Sequence, residues 1–433
     1  MSTEKYFAIL STIALVLLLL LILISPDSFV YDEIFFYQNI LLLEKYGLSA
    51  KFLQEMESQA PGPLYQILHF LTSRYDEYSP LTMRIINLSF SLFIIASTAK
   101  IINILTFEIS SRNYYFYFLI TFCLFFSIPN FWTISVLALT EAPSLMMALV
   151  GAVLFTYLCV IKSKCSINYL YFSLSVLFFA FSLYGRITLI TIPVGLVTGN
   201  IILETYKQKR LTLNRSHIAL VLALALSLAP LVYVWKGVVP PKNIKIKADT
   251  LDIELISHGF SYFMAYYIIL KFISSKTQIY RISRNTILLY ILIYISVLSF
   301  NYFFLKLKVK FSLSLIVSLL GKGYSYTVLL FIGGNCLFIS IIFIRHILQQ
   351  LYSSLKNNAQ QFLWLWTACL SITPIIAISQ VSSRYIVLSI PSLVIYFFIK
   401  NHDYITSNKL KYYKYLSFSF YLYLVSLQQN HIY

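Results

Sequence analysis

The sequence predicts an all-α polytopic membrane protein, with about 11–13 transmembrane helices and a large first extracytoplasmic loop containing interfacial helices. Three observations carry that reading. Of 433 residues, 59% are hydrophobic and 11% charged, where a soluble domain has about a quarter charged. Apolar segments long enough to cross a bilayer recur along the chain. And of 16 Asp and Glu, eight (Asp27, Asp32, Glu33, Glu44, Glu55, Glu57, Asp76 and Glu77) fall between positions 27 and 77, so an acid-poor chain gathers its carboxylates in one connection.

The first span is Phe7 to Ile24. It has only Lys5 as a preceding base, no A-x-A site after it and a long apolar core, which favours a retained signal anchor over a cleaved signal peptide. The loop at 25–82 follows. After Asp32-Glu33, the residues Ile34, Phe35, Ile40, Leu41, Leu42 and Leu43 recur at helical spacing, and Gly47 supplies a C-cap. A second short helix is expected around 48–57. Gln59-Ala60-Pro61-Gly62-Pro63 reads as a rigid turn and Leu64–Leu71 as an apolar helix. Amphipathic helices of this length beside a membrane lie in its interface. Further spans are predicted at 83–99, 114–128, 134–161, 167–184, 187–203, 217–235, 257–273, 286–304, 325–343, 362–379, 385–399 and 416–427, the last the weakest. Further extracytoplasmic loops fall at 236–256 and 304–324. Residues 1–433 are thus a single transmembrane domain.

Orientation follows from the basic residues. With the N-terminus in the cytosol, cytosolic connections hold 19 Lys and Arg against 14 on the other side, and 12 of the 16 acids lie outside. That bias rests on short loops, where the positive-inside rule is most reliable. The formal charge of +17 is therefore a topological signal, and no nucleic acid partner is implied. No cytosolic connection is long enough for a nucleotide-binding domain, since one βαβ unit needs about 30 residues, so substrate is met within the membrane or outside the cytosol. The five cysteines form no C-x-x-C pair and read as small buried hydrophobes. Signatures of the P-loop, zincin and G-x-S-x-G types are absent, and the six histidines are dispersed. The sequence indicates no metal ligand set.

Several residues at the extracytoplasmic face can carry chemistry. The adjacent carboxylates Asp32-Glu33 repel each other and lose water near an apolar surface, which favours one of them accepting a proton. That is the task of a general base on a hydroxyl. The competing explanation is helix N-terminal charge, which needs no function. Glu141, in Leu139-Thr-Glu-Ala-Pro-Ser144, is an ionisable residue at the edge of an apolar span and so a functional candidate by default. Against that, Thr140 and Pro143 mark a helix start, for which an acid is an ordinary cap. Arg84, Arg186, Arg384 and Lys236 bring cations to the same face. Each alone can be explained by snorkelling; as a set opposite an acidic loop they suit a phosphate.

The ordered set Tyr31-Asp32-Glu33, Ala60-Pro-Gly-Pro-Leu-Tyr65 and Met83-Arg-Ile-Ile-Asn87 resembles the GT-C glycosyltransferases, membrane enzymes that use polyprenyl-phosphate-linked sugars. Leu139–Ser144 looks like the second acidic motif of that group, Gly185-Arg-Ile-Thr188 like its Arg-containing motif, and Ser383-Arg-Tyr385 like its late Arg-Tyr element. Within the group the chain is similar to the ArnT/protein-mannosyltransferase-like branch and to the α-1,2-glucosyltransferase that completes the dolichol-linked oligosaccharide. It departs in lacking the large C-terminal soluble domain of some relatives and in having Glu141 where many show Asp.

The resemblance implies an inverting transfer of a sugar from a polyprenyl-phosphate donor to a hydroxyl on a glycan, lipid or protein acceptor. Asp32 or Glu33 would be the catalytic base and Glu141 would support the acceptor. Arg84, Arg186 and Arg384 would bind the donor phosphate. No cofactor is fixed, and a divalent cation is left open. Partners would be the lipid donor, the acceptor and membrane lipids. The short loops fit a bacterial inner membrane somewhat better than an endoplasmic reticulum. The alternatives are a lipid-linked glycan flippase or other transporter, for which Glu141 would sit at the midplane with a cationic partner, and an oligosaccharide polymerase.

Overall fold

The computed structural model describes residues 2–30, 32–56, 62–73, 78–106, 114–160, 165–211, 215–237, 240–242, 253–274, 343–374, 386–407, 414 and 416–421. The described residues are helical, with no strand among them. The helices are α1 (Thr3–Ile24), α2 (Glu33–Tyr46), α3 (Ala50–Glu55), α4 (Leu64–Ser73), α5 (Pro80–Thr106), α6 (Tyr114–Phe126), α7 (Pro129–Val136), α8 (Glu141–Val160), α9 (Cys165–Gly185), α10 (Thr191–Gln208), α11 (Arg215–Trp235) and α12 (Ile253–Ser274). They continue as α13 (343–357), α14 (Ala359–Leu370), α15 (Ile390–Lys400) and α16 (His402–Ser407). Among the described residues six helices are long and apolar enough to cross a membrane, so the chain is a multi-pass all-α protein. The predicted span 286–304, the loop 304–324 and all but the last residue of the predicted span 325–343 lie outside the described residues, as does Arg384.

α5 is the central post. It packs against α1, α4, α6, α7, α8 and α15, and its buried face includes the polar side chains Arg84, Asn87, Ser91 and Thr98. Between α1 and α5 the described residues form α2, α3 and α4. α2 closes at Gly47, whose φ of 60° lies in the left-handed region that glycine enters without penalty. Leu43, Phe52 and Met56 of this loop bury against Leu231 and Trp235 at the end of α11, and the Trp235 indole Nε1 donates to the Leu53 carbonyl at 2.8 Å. The loop therefore has a small apolar core of its own.

The predicted span 134–161 is corrected by the structure. Its first residues belong to α7, which meets α6 at a bend of 101°, and α8 begins only at Glu141. Pro129, at the first position of α7, cannot donate a backbone hydrogen bond and so cannot extend α6. Backbone leaving helical pairing inside an apolar bundle must find other partners, and here it does. At the first break Trp132 Nε1 donates to Phe126 O (2.9 Å) and Ile128 N to Phe125 O (3.0 Å). At the second, residues 137–140, the partners are the polar side chains described next.

Candidate functional site

The break at 137–140 is where the sequence motifs meet. From one side comes Glu33, in the first turn of α2 and fully buried. Its Oε1 accepts from the backbone N of Ala138 (2.8 Å) and from Arg84 Nε (3.0 Å). Its Oε2 accepts from Val30 N (2.9 Å) and Arg84 Nη2 (2.7 Å). Each carboxylate oxygen thus receives two donors, and the arginine fork is bidentate, the strongest geometry for such a pair. Arg84 also donates from Nη1 to Pro26 O (2.8 Å) and from Nη2 to Ser28 O (3.0 Å). One ion pair thereby fastens the 26–30 corner, α2, α5 and the break to one another.

A second pair approaches from α9. Arg186, the residue after α9, donates from Nε to Thr140 Oγ1 (3.0 Å) and from Nη2 to Glu141 Oε1 (2.8 Å). Both side chains are buried. Glu141 Oε2, by contrast, is buried with no hydrogen-bond partner. α8 and α9, 20 and 21 residues long, each span about 30 Å, roughly the hydrocarbon thickness. Glu141 opens the one and Arg186 follows the other, so this pair sits at the end of the bundle rather than at its middle.

Tyr65 lies between the two pairs. It is fully buried, its hydroxyl donates to Ala138 O at 2.9 Å, and burial together with the charges of Glu33 and Glu141 holds its phenol well above the usual range. On α5, Asn87 Nδ2 donates to Ile134 O (2.7 Å) and Leu137 O (2.6 Å), completing the pairing of the broken backbone. The motif segments are held together by close glycine contact. Gly62 N donates to Gly185 O at 3.0 Å. A Cβ on Gly62 would fall on the Tyr184 carbonyl oxygen, and one on Gly185 on the Ser144 hydroxyl.

Of the residues predicted from sequence, Glu33, Arg84, Glu141 and Arg186 are brought together at this break. Asp32 is at its rim, half-buried as the N-cap of α2, with no side-chain bond to the helix end. Beside it in the chain, Phe29 stacks on Tyr37 (4.6 Å between centroids) and Tyr37 meets Tyr78 edge-on (6.4 Å). Lys236 is exposed at the end of α11, with a φ of 53°.

Sequence reasoning passed over a layer of buried polar groups next to this site. Gln66 and His69 of α4 are fully buried, and neither the Gln66 amide nor the His69 ring nitrogens have hydrogen-bond partners. The same is true of Asn87 Oδ1 and Ser91 Oγ on α5. His69 packs on Tyr65 (4.2 Å) and Phe90 (6.0 Å), and burial pushes its pKa down to about 3. The i, i+3 spacing of Gln66 and His69 within an apolar helix was the available signal. Among the described residues no group of three His, Cys, Asp or Glu forms a metal site.

Comparison with known proteins adds no identity: no family model, no curated protein and no solved structure matches this chain.

Proposed function

We propose that the chain is a membrane glycosyltransferase that moves a sugar from a polyprenyl-phosphate donor to an acceptor hydroxyl, with inversion. The observation that carries the reading is the convergence of four motif segments, around 32–33, 62–65, 140–144 and 185–186, on one helix break at the end of the bundle. Such a transfer needs a base on the acceptor side and positive charge at the departing phosphate. Within this proposal Asp32 is the base. It is the half-buried member of its pair, whereas Glu33 has both oxygens filled by donors. Arg84 and Glu33 then act as positioning residues that hold Asp32 at the rim. Glu141 supports the acceptor through its unpartnered oxygen. Arg186 supplies charge at the donor phosphate, and Arg384 is proposed to join it.

The test is transfer by the purified protein from a panel of polyprenyl-phosphate sugars. Asp32→Asn should abolish transfer while leaving a monodisperse, normally stable protein. Full activity in Asp32→Asn removes the assignment of the base. Failure of the wild-type protein to transfer from any lipid donor, with uptake and translocation instead, removes the enzyme reading.

A second reading, a flippase for lipid-linked glycans, is favoured by the 101° break between α6 and α7 and by the cationic partner of Glu141, since transporters use broken helices and buried ion pairs. The placement of that pair at the ends of two full-length helices favours transfer.

A further inference from the structure

At the other end of the bundle, a second polar cluster joins three helices that take no part in the site above. From residue 255 to residue 433 the sequence carries fifteen Lys and Arg and one acid, Asp403. Three of the basic side chains in this half come together. Lys271, in the last turn of α12, and Tyr267, one turn before it, both reach His346 Nε2 of α13, at 3.4 and 3.3 Å. On α15, Lys400 donates to the Tyr396 hydroxyl at 2.9 Å and to Gln350 Oε1 of α13. Tyr396 in turn donates to the same Gln350 oxygen at 3.4 Å. Lys271 and Lys400 are close enough for their charges to repel. A pair of lysines at helix C-termini is explained in part by the helix dipole, but that account does not require two helix ends to meet over a histidine.

The cluster adjoins an apolar cavity of about 240 Å³ lined by α12, α13 and α14. Tyr267 touches Phe343 (5.2 Å between centroids), and Phe343 touches Phe263 (5.9 Å). Phe343 and Phe263 both line the cavity, with Ile347, Leu351, Trp366 and Thr373 among their neighbours. A hydrocarbon slot thus begins one turn along the same helices from a patch of converging cations. Basic pockets between transmembrane helices that open on an apolar surface match a lipid with an anionic head.

We propose that this cleft binds an anionic phospholipid, its phosphate against Lys271, His346 and Lys400 and an acyl chain in the cavity beyond Phe343. The phosphate accepts from the two ammonium groups. The chain replaces bulk lipid against the aromatic wall, which is what distinguishes this ligand from a free anion. The site lies far along the bundle from the 137–140 break, and the inference does not depend on the transferase reading.

The experiment is native mass spectrometry of the full chain released from detergent, titrated in separate arms with phosphatidylglycerol, phosphatidylcholine and inorganic phosphate. Wild type should hold phosphatidylglycerol at least about tenfold more tightly than phosphatidylcholine, and inorganic phosphate should not displace it at equal concentration. The double variant Lys271→Gln/Lys400→Gln should lose that preference by about tenfold, as should Thr373→Trp, which fills the mouth of the slot. Arg345→Gln/Lys356→Gln, which removes two cations of α13 that lie outside the cluster, should leave it unchanged. Equal binding of the two lipids by wild type overturns the proposal without reference to any variant. So does equal loss in the Arg345/Lys356 control. Phosphate displacing the lipid, together with an inert Thr373→Trp, assigns a free-anion site instead.

Discussion

Glu33→Gln offers the sharpest test of how the first loop is fixed. In the native pair Oε1 receives Ala138 N–H and Arg84 Nε–H, and Oε2 receives Val30 N–H and Arg84 Nη2–H. A glutamine must put its NH₂ at one of these two positions. Either choice sets a donor against one backbone N–H and one guanidinium N–H, so two hydrogen bonds are lost whichever way the amide turns. The Arg84 charge, 1% exposed, is left buried without its counter-ion. Breaking a buried pair in this way costs roughly 3–5 kcal/mol, a fall in Tm on the order of 3–5 °C for a chain of this size. Asp32→Asn, one residue away, alters a half-buried side chain that makes no cap bond and should shift Tm by about 1 °C or less. Adding Arg84→Met to Glu33→Gln should recover part of the loss, because the stranded charge goes with it. Thermal unfolding in detergent, followed by Trp fluorescence and size-exclusion profile, reads all four proteins. If Glu33→Gln is as stable as wild type but inactive in transfer, Glu33 is the reactive group and its role as a fastening is wrong.

Two further outcomes follow from the same region. His69 is held neutral at a pKa of about 3, below its unfolded value of about 6.5, so the unfolded chain takes up a proton that the folded one refuses. Stability therefore falls as pH drops through 6.5, by about 2 kcal/mol between pH 7 and 5. Thermal scans at both pH values should show this share of the loss vanish in His69→Phe, and an unchanged pH dependence would refute it. Gly62→Ala drives a methyl into the Tyr184 backbone, whereas Gly151→Ala meets only the Phe179 ring, 2.9 Å away. Overpacking of the first kind costs roughly 1–3 kcal/mol, so Gly62→Ala should melt clearly below Gly151→Ala, and the reverse order would contradict the close approach of residues 62 and 185.

The helices α2 and α4 were legible because their signals are local. Gly47 ends α2 for a reason visible in one residue, and Leu64 starts α4 just after the Pro-Gly-Pro turn. The break at 137–140 was half legible. Thr140 and Pro143 mark the start of α8, yet Leu137, Ala138 and Leu139 carry nothing that interrupts an apolar run, and hydropathy joined them to the span that follows. Their departure from the helix is stabilised by Asn87, Tyr65 and Glu33, which come from 50, 73 and 105 residues away. No window along the chain contains that information. The same distance explains why Glu33 was grouped with Asp32 as one reactive patch. Only the folded chain separates a carboxylate saturated by donors from its half-buried neighbour.

Both buried ion pairs have the same direction along the chain. Glu33 precedes Arg84 by 51 residues and Glu141 precedes Arg186 by 45. In each case the acid is synthesised first, ahead of the base it neutralises. An arginine inserted alone costs about 2.5–3.5 kcal/mol at the centre of a membrane helix and less toward its ends, where these two lie. Here each arginine leaves the ribosome after the carboxylate that neutralises it in the fold. The order of residues in the chain thus puts each acid ahead of its base in synthesis as well as beside it in the fold.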